Sequence, residues 1–356
     1  MRGTMKMGFA RDLEIERYCL RGLVGNELAD RIGKLMKLIS PFGHRLIPRM
    51  LFVVFATAIA GKADAGVQTP EVRAMMLNET LPPGNNYSTA KFNFWSPPAP
   101  GILRGVVIMM PGSNSDGRAM ANEPLWQSFA KKHGFALVGA YFTDRQHDQA
   151  FIENYVNASQ GSGQALLDAL KKFARRSRHR ELATAPLLLW GVSAGGEFNY
   201  EFTAWKPERV LAFVVNKGGI YYTALTPPAA RAVPALIFAG KKDLPSRTAT
   251  LAGLFALNRR AGALWALVEE PDARHTFEQS QILSLLFFDE VLSLRLGDQG
   301  TTIKPVTEAA GYRGDLRSGI FVAADNQTGV DATTAWLPTK RVAEAWQKIV
   351  RGVPLE

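Results

Sequence analysis

The sequence predicts an α/β protein with a mostly parallel sheet, helices on both faces and a C-terminal extension. Three observations lead there. From about residue 91 onward, short apolar runs alternate with longer amphipathic ones, the signature of strands that cross over through helices. The run Leu187-Leu188-Leu189-Trp190 passes straight into Gly191-Val192-Ser193-Ala194-Gly195-Gly196, a strand that turns sharply into a helix. The 356 residues are 47% hydrophobic and 10% aromatic, enough apolar surface for one large core and too much for disorder.

Taken in order, the first 65 residues stand apart. Arg45 and Arg49 precede the apolar run Leu51-Phe52-Val53-Val54-Phe55-Ala56-Thr57-Ala58-Ile59-Ala60, and Ala63-Asp64-Ala65 follows it. A positive flank, a ten-residue apolar run and an A-x-A site predict a secretory signal cleaved after Ala65. A membrane span takes roughly 20 apolar residues, so an uncleaved anchor is the weaker reading. The stretch before Met50 is long for a positive flank, which points to Met36 or Met50 as the start of translation. Cleavage would remove 11 of 42 basic and 6 of 32 acidic side chains, bringing the net charge from +10 to about +5. Cys19, the only cysteine, would go with the leader, excluding a disulfide or a cysteine nucleophile from the mature chain.

Beyond the leader, Leu81-Pro82-Pro83-Gly84-Asn85-Asn86 and Ser96-Pro97-Pro98-Ala99-Pro100-Gly101 read as loops. Strands are expected near 92–95, 106–110, 136–142, 187–190, 212–216, 235–239 and 264–268. Helices fill the gaps: 123–132, stopped by His133-Gly134; 162–176, with Ala165, Leu166, Ala169, Leu170 and Phe173 at helical spacing; then 196–205, 247–260 and 278–296. After residue 296 comes a tail with an apolar run over 319–323 and a closing helix over 339–350; its Trp336 and Trp346 call for burial, so it is expected to pack on the core. The basic run Arg175-Arg176-Ser177-Arg178-His179-Arg180 raises nucleic acid as a partner. Its place at the end of a helical pattern favours a solvated helix terminus whose cations suit the dipole, so no nucleic acid is expected.

The chemistry centres on Ser193. A nucleophile lifted onto a strained turn needs neighbours small enough for the backbone to fold past itself, and Gly191 and Gly195 meet that need. A hydroxyl also needs a base, and the base needs a carboxylate that holds it in one tautomer. In α/β-hydrolases the order along the chain is nucleophile, acid, histidine, and His275 is the only histidine after Ser193. For the acid, the strand over 235–239 ends in Gly240-Lys241-Lys242-Asp243, on the sheet edge where Ser193 emerges. Asp272 competes, yet three residues before His275 on one loop it would struggle to reach behind the ring. Two amides must face the developing oxyanion. The backbone N–H of Ala194 is one, and the Pro111-Gly112-Ser113-Asn114-Ser115-Asp116-Gly117 loop offers that of Ser113 as the other. Tyr155, Tyr221 and Tyr222 could line an aromatic cleft for the acyl group, and core packing or loop anchoring explains them equally well.

These stretches resemble the α/β-hydrolase superfamily, and within it the secreted esterases related to polyhydroxybutyrate depolymerases and feruloyl esterases. The resemblance rests on Pro111-Gly112-Ser113 with Trp126 to Phe135 behind it, on Ser162-Gly163-Gln164-Ala165-Leu166-Leu167, on the Gly191 to Gly196 turn, and on Asp243 with His275. It spans about residues 91 to 290, and it departs from the group at Pro111-Gly112, where many such esterases carry His-Gly. It implies an α/β-hydrolase fold and a serine hydrolase that cleaves carboxylic esters through an acyl-enzyme, without a cofactor. Neither a metal-ligand spacing nor a dinucleotide fingerprint occurs, so no metal is expected.

The chain then divides into a leader at 1–65, a catalytic domain at 66–296 and an extension at 297–356 packed on that domain. The expectation is a periplasmic or secreted enzyme acting on small or polymeric esters, with no stable membrane insertion once the signal is removed. A peptidase of the prolyl-oligopeptidase type shares the Gly-x-Ser-x-Gly-Gly pattern but usually carries a large extra domain. A non-catalytic binding module on the same fold would show a broken triad.

Overall fold

The structure, a computed structural model, describes residues 73–98, 101–149, 152–296, 301–325 and 331–355. The expected leader and its cleavage site at Ala65 lie outside the described residues. Eight strands form one sheet in the order β1-β2-β4-β3-β5-β6-β7-β8. They are β1 (Met75–Leu81), β2 (Thr89–Ser96), β3 (Gly105–Met110), β4 (Phe135–Thr143), β5 (Leu187–Gly191), β6 (Val210–Asn216), β7 (Ala235–Gly240) and β8 (Trp265–Glu270). All neighbours from β4 through β8 pair in parallel, and β2 alone runs against both of its neighbours. This strand order, with a sharp turn after β5, is that of the α/β-hydrolase fold.

The continuous apolar runs read from the sequence are the strands whose two faces are both covered. Every residue of β3, β5, β6 and β7 is buried, which explains why these strands carry no polar alternation. Successive side chains go to opposite layers: Leu187 and Leu189 join one core, Leu188 and Trp190 the other. The first layer holds α2 (Ser162–Ser177), α3 (Ala194–Trp205) and α5 (Pro245–Arg260). The second holds α1 (Pro124–His133), α6 (Glu278–Arg295) and α7 (Lys340–Val350). A short helix α4 (Pro228–Arg231) precedes β7. Helix α1 stops as its sequence requires, because Gly134 adopts φ 68°, a left-handed cap that glycine takes without a Cβ penalty.

Four strands escape the sequence reading. The sequence reading places no strand at β1, because it is a sheet-edge strand whose residues alternate between half-buried and exposed, and Asn78, Glu79 and Thr80 break its apolar pattern. The C-terminal residues build a separate antiparallel sheet, β10-β9-β11, from β9 (Tyr312–Asp315), β10 (Phe321–Ala323) and β11 (Thr334–Leu337). Strands of three or four residues leave no periodicity to detect. This segment packs on the second layer through Ala335, Leu337 and the fully buried Trp346, whose ring nitrogen donates to the Leu267 carbonyl (2.8 Å); Trp336, also fully buried, donates to the Glu308 carbonyl (3.0 Å). Arg259, itself buried at the end of α5, ties the two parts together by donating to both Glu308 oxygens (2.5 and 2.8 Å) and to the Thr334 carbonyl (2.7 Å).

Candidate active site

Strand β5 delivers Ser193 to the C-terminal edge of the sheet at φ 53° and ψ −124°, a region that non-glycine residues avoid and that costs of order 1–3 kcal/mol. The surroundings over-determine it. The Val192 amide donates to the Met110 carbonyl (3.1 Å) and the Ser193 amide to that of Asn216 (2.8 Å), so both neighbouring strands grip the turn. A Cβ on Gly195 would strike the carbonyls of Met110 and Pro111, and one on Gly191 would strike the backbone of Gly195. The small residues flanking the serine are therefore a steric requirement of this turn. Ala194 opens α3, where backbone amides have no intrahelical acceptor and point outward with the positive end of the dipole.

Gly112 borders the serine from the neighbouring loop: a Cβ placed on it would sit 3.6 Å from that of Ser193. Ser113 follows at the exposed tip, and its hydroxyl donates to the Glu153 carboxylate. The loop is pinned from below, where the Asn114 amide, on a residue at φ 49°, donates to the Tyr155 hydroxyl (3.3 Å). Tyr155 is buried and stacked on Phe142, with ring centroids 5.7 Å apart, and burial pushes its phenol up. Its position is that of a support beneath the loop, one of the readings the sequence left open for this residue.

The structure brings His275 and Asp243 together. The loop after β8 presents His275, whose Nδ1 lies 2.9 Å from Asp243 Oδ2, while the other carboxylate oxygen accepts from the Leu244 amide (2.7 Å) and Arg247 Nη1 (2.6 Å). Burial pushes the Asp243 carboxyl up, but the bonds from His275 and Leu244 and the charge of Arg247 outweigh it and hold the group below the ordinary aspartate range. Asp272 turns instead toward Lys242 (2.7 Å) at the exposed surface. Phe277, two residues past His275, meets Trp190 of β5 edge to face at 5.7 Å, so the histidine loop leans on the strand that carries the serine. Among the described residues, Ser193 Oγ makes no hydrogen bond to His275. Such contacts are often long until substrate closes the site.

Sequence reasoning missed a second row of residues. Glu197, one helical turn beyond Ser193, is only 5% exposed. Its Oε1 accepts from the amides of Gly219 (2.6 Å) and Ile220 (3.1 Å), and its Oε2 has no partner among the described residues. Burial, with the nearby Glu153 charge, pushes its carboxyl up to about 7. Tyr221 packs at the same place; its buried hydroxyl has no partner among the described residues, and burial pushes the phenol well above its ordinary value. Arg247 brings a buried Nε there as well. Tyr222 is 45% exposed and stands at the rim, its amide held by Glu201 (2.8 Å). The signals were present in the spacing: Glu197 is Ser193 plus four on a helix, and Arg247 is Asp243 plus four. Underneath, Lys217 at φ 59° pairs with Glu270, both buried, and its Nζ also donates to Asn216 Oδ1 (3.0 Å), joining the strand ends that flank β7.

No protein-family model and no curated protein matches the chain. Among solved structures, the chain is similar to LpqC, a poly(3-hydroxybutyrate) depolymerase from Bordetella parapertussis, with 20% identity and a TM-score of 0.46 over 61% of this chain and 90% of that one.

Proposed function

We propose that the chain is an exported serine hydrolase that cleaves carboxylic esters through an acyl-enzyme. The observation that supports this best is the pairing of His275 with a low-titrating Asp243 on the same sheet edge as the strained Ser193. In this reading Ser193 Oγ attacks the ester carbonyl while its proton passes to His275 Nε2. Asp243 holds the Nδ1 proton and stabilises the imidazolium that forms. The oxyanion rests between the amides of Ala194 and Ser113, each worth roughly 3 kcal/mol in the transition state. Collapse expels the alcohol, which takes the proton from Nε2, and water then repeats the sequence on the acyl-enzyme with His275 as base.

The sequence supports export to the periplasm or beyond, with cleavage after Ala65, residues 66–296 as the catalytic domain and 297–356 packed on it. Among the described residues, no helix is long and apolar enough to cross a membrane. The substrate is a small or polymeric ester, with Tyr221 and Tyr222 near the acyl group. Labelling with a fluorophosphonate probe and mapping the modified peptide tests the nucleophile: Ser193 carries the label if the reading holds. Turnover of p-nitrophenyl acetate, set against aminoacyl p-nitroanilides, separates esterase from peptidase. Cleavage of the anilides alone would refute the ester assignment.

A further inference from the structure

The basic run Arg175 to Arg180 has no part in the chemistry above, and the structure divides it. Arg176 is consumed internally, donating to Glu79 (2.6 Å) and to the Asn78 carbonyl, and His179 pairs with Glu181 (2.9 Å). Arg175, Arg178 and Arg180 are exposed and have no acidic partner among the described residues. With Lys171 they line a groove of about 810 Å³ that is otherwise bordered by Ala174 and Ala183.

Arg178 adds an observation that helix-end electrostatics does not explain. It occupies the left-handed cap of α2, at φ 65° and ψ 9°, where glycine is the unstrained choice. A guanidinium is kept there against backbone preference. Ile102 stands 70% exposed on the turn before β3, and that turn is tied to the one over Arg180–Ala183 because the Leu103 amide donates to Glu181 (2.9 Å). Cations that flank a solvent-exposed aliphatic side chain are the pattern of a surface that meets lipid headgroups.

The location adds a direction. The turn Arg180–Ala183 lies just before β5, and Ser193 lies just after it, so the groove and the nucleophile occupy opposite ends of the sheet. Strand β1 also begins at the groove end, since Met75 pairs with Ser96 and Trp95 with Leu137 near the start of β4.

We infer that Lys171, Arg175, Arg178 and Arg180, with Ile102, form a docking face for an anionic phospholipid surface, which holds the catalytic edge away from the membrane. A loose nucleic-acid contact would need the same cations but would gain nothing from Ile102.

The test is co-sedimentation of the full chain with vesicles of phosphatidylcholine alone and with about one quarter phosphatidylglycerol. The quantity read is the gain in binding that the anionic lipid confers. That gain is expected to disappear in half-molar salt and to fall about 100-fold in Arg175→Ala/Arg178→Ala/Arg180→Ala, at about fivefold per cation. Ile102→Ser is expected to weaken binding severalfold without changing its salt dependence. Arg178→Gly guards against misfolding, because it relieves the left-handed residue: its unfolding midpoint rises while its vesicle affinity falls about fivefold. Equal binding to neutral and anionic vesicles, or an unchanged triple variant, would overturn the inference. So would retention of double-stranded DNA or inorganic phosphate by a protein that ignores the vesicles.

Discussion

Glu197→Gln should make the protein more stable at alkaline pH and leave it unchanged in mild acid. The native carboxyl is buried near the Glu153 charge and its Oε2 has no partner among the described residues, which outweighs the two amides that bond Oε1, so the fold favours the protonated form and raises its titration from 4.5 to about 7. The unfolded chain releases that proton near 4.5, so between these values the native state binds more protons than the unfolded one, and stability falls as pH rises. Across the whole interval the loss attributable to this side chain is about 3 kcal/mol. Glutamine keeps the acceptor for Gly219 and Ile220 and never ionises. Urea unfolding followed by tryptophan fluorescence, run on both proteins at pH 4.5 and pH 8, reads the effect directly. Asp243, Glu308 and the other carboxylates held below their usual range act in both proteins alike, so they cancel in the difference. The variant should match the parent at pH 4.5 and exceed it by about 3 kcal/mol at pH 8. A difference that does not change with pH, or a variant weaker at both values, would show that the buried carboxyl is not held protonated by its surroundings.

Other outcomes follow from the same geometry. Asp243→Asn should lower kcat for p-nitrophenyl acetate by about 10³–10⁴ with little change in KM, because the amide cannot hold the imidazole in the productive tautomer; a change confined to KM would deny Asp243 its role. Trp346→Ala should lower stability by about 3–5 kcal/mol in urea titrations, through the loss of a fully buried ring and its bond to the Leu267 carbonyl, while residual folded protein keeps its activity. Gly195→Ala should abolish fluorophosphonate labelling, since the added methyl meets the Met110 and Pro111 carbonyls and pushes the turn open; normal labelling would mean the turn tolerates that displacement. The Asp243–His275 pair should also persist into acid below the ordinary aspartate range, because the carboxyl is held low there: its contribution is present above that range and lost as pH falls through the depressed value. The NMR signal of the Nδ1 proton against pH reads this, and its disappearance near pH 4 would contradict it.

What the sequence determined by itself is everything set by contacts within a few residues. Continuous apolar runs marked β3, β5, β6 and β7 because both faces of those strands are covered. Gly191 and Gly195 marked the turn at Ser193 because the clash they avoid arises where the chain folds back on itself and on the strand beside it. Gly134 and Thr339 marked helix ends because capping is local. The tertiary structure decided whatever depends on the partner across the sheet. It separated Asp243 from Asp272, put Tyr155 under a loop, and raised the titration of Glu197 by burying it near Glu153, against the opposing bonds from Gly219 and Ile220. It also made strands of β1 and of the three short C-terminal segments, which are too short or too mixed in polarity to show a period and find their hydrogen bonds only once a neighbouring strand is in place. Steric and capping rules act over one turn of chain and can be read in order, whereas burial and charge are fields summed over residues that only folding brings together.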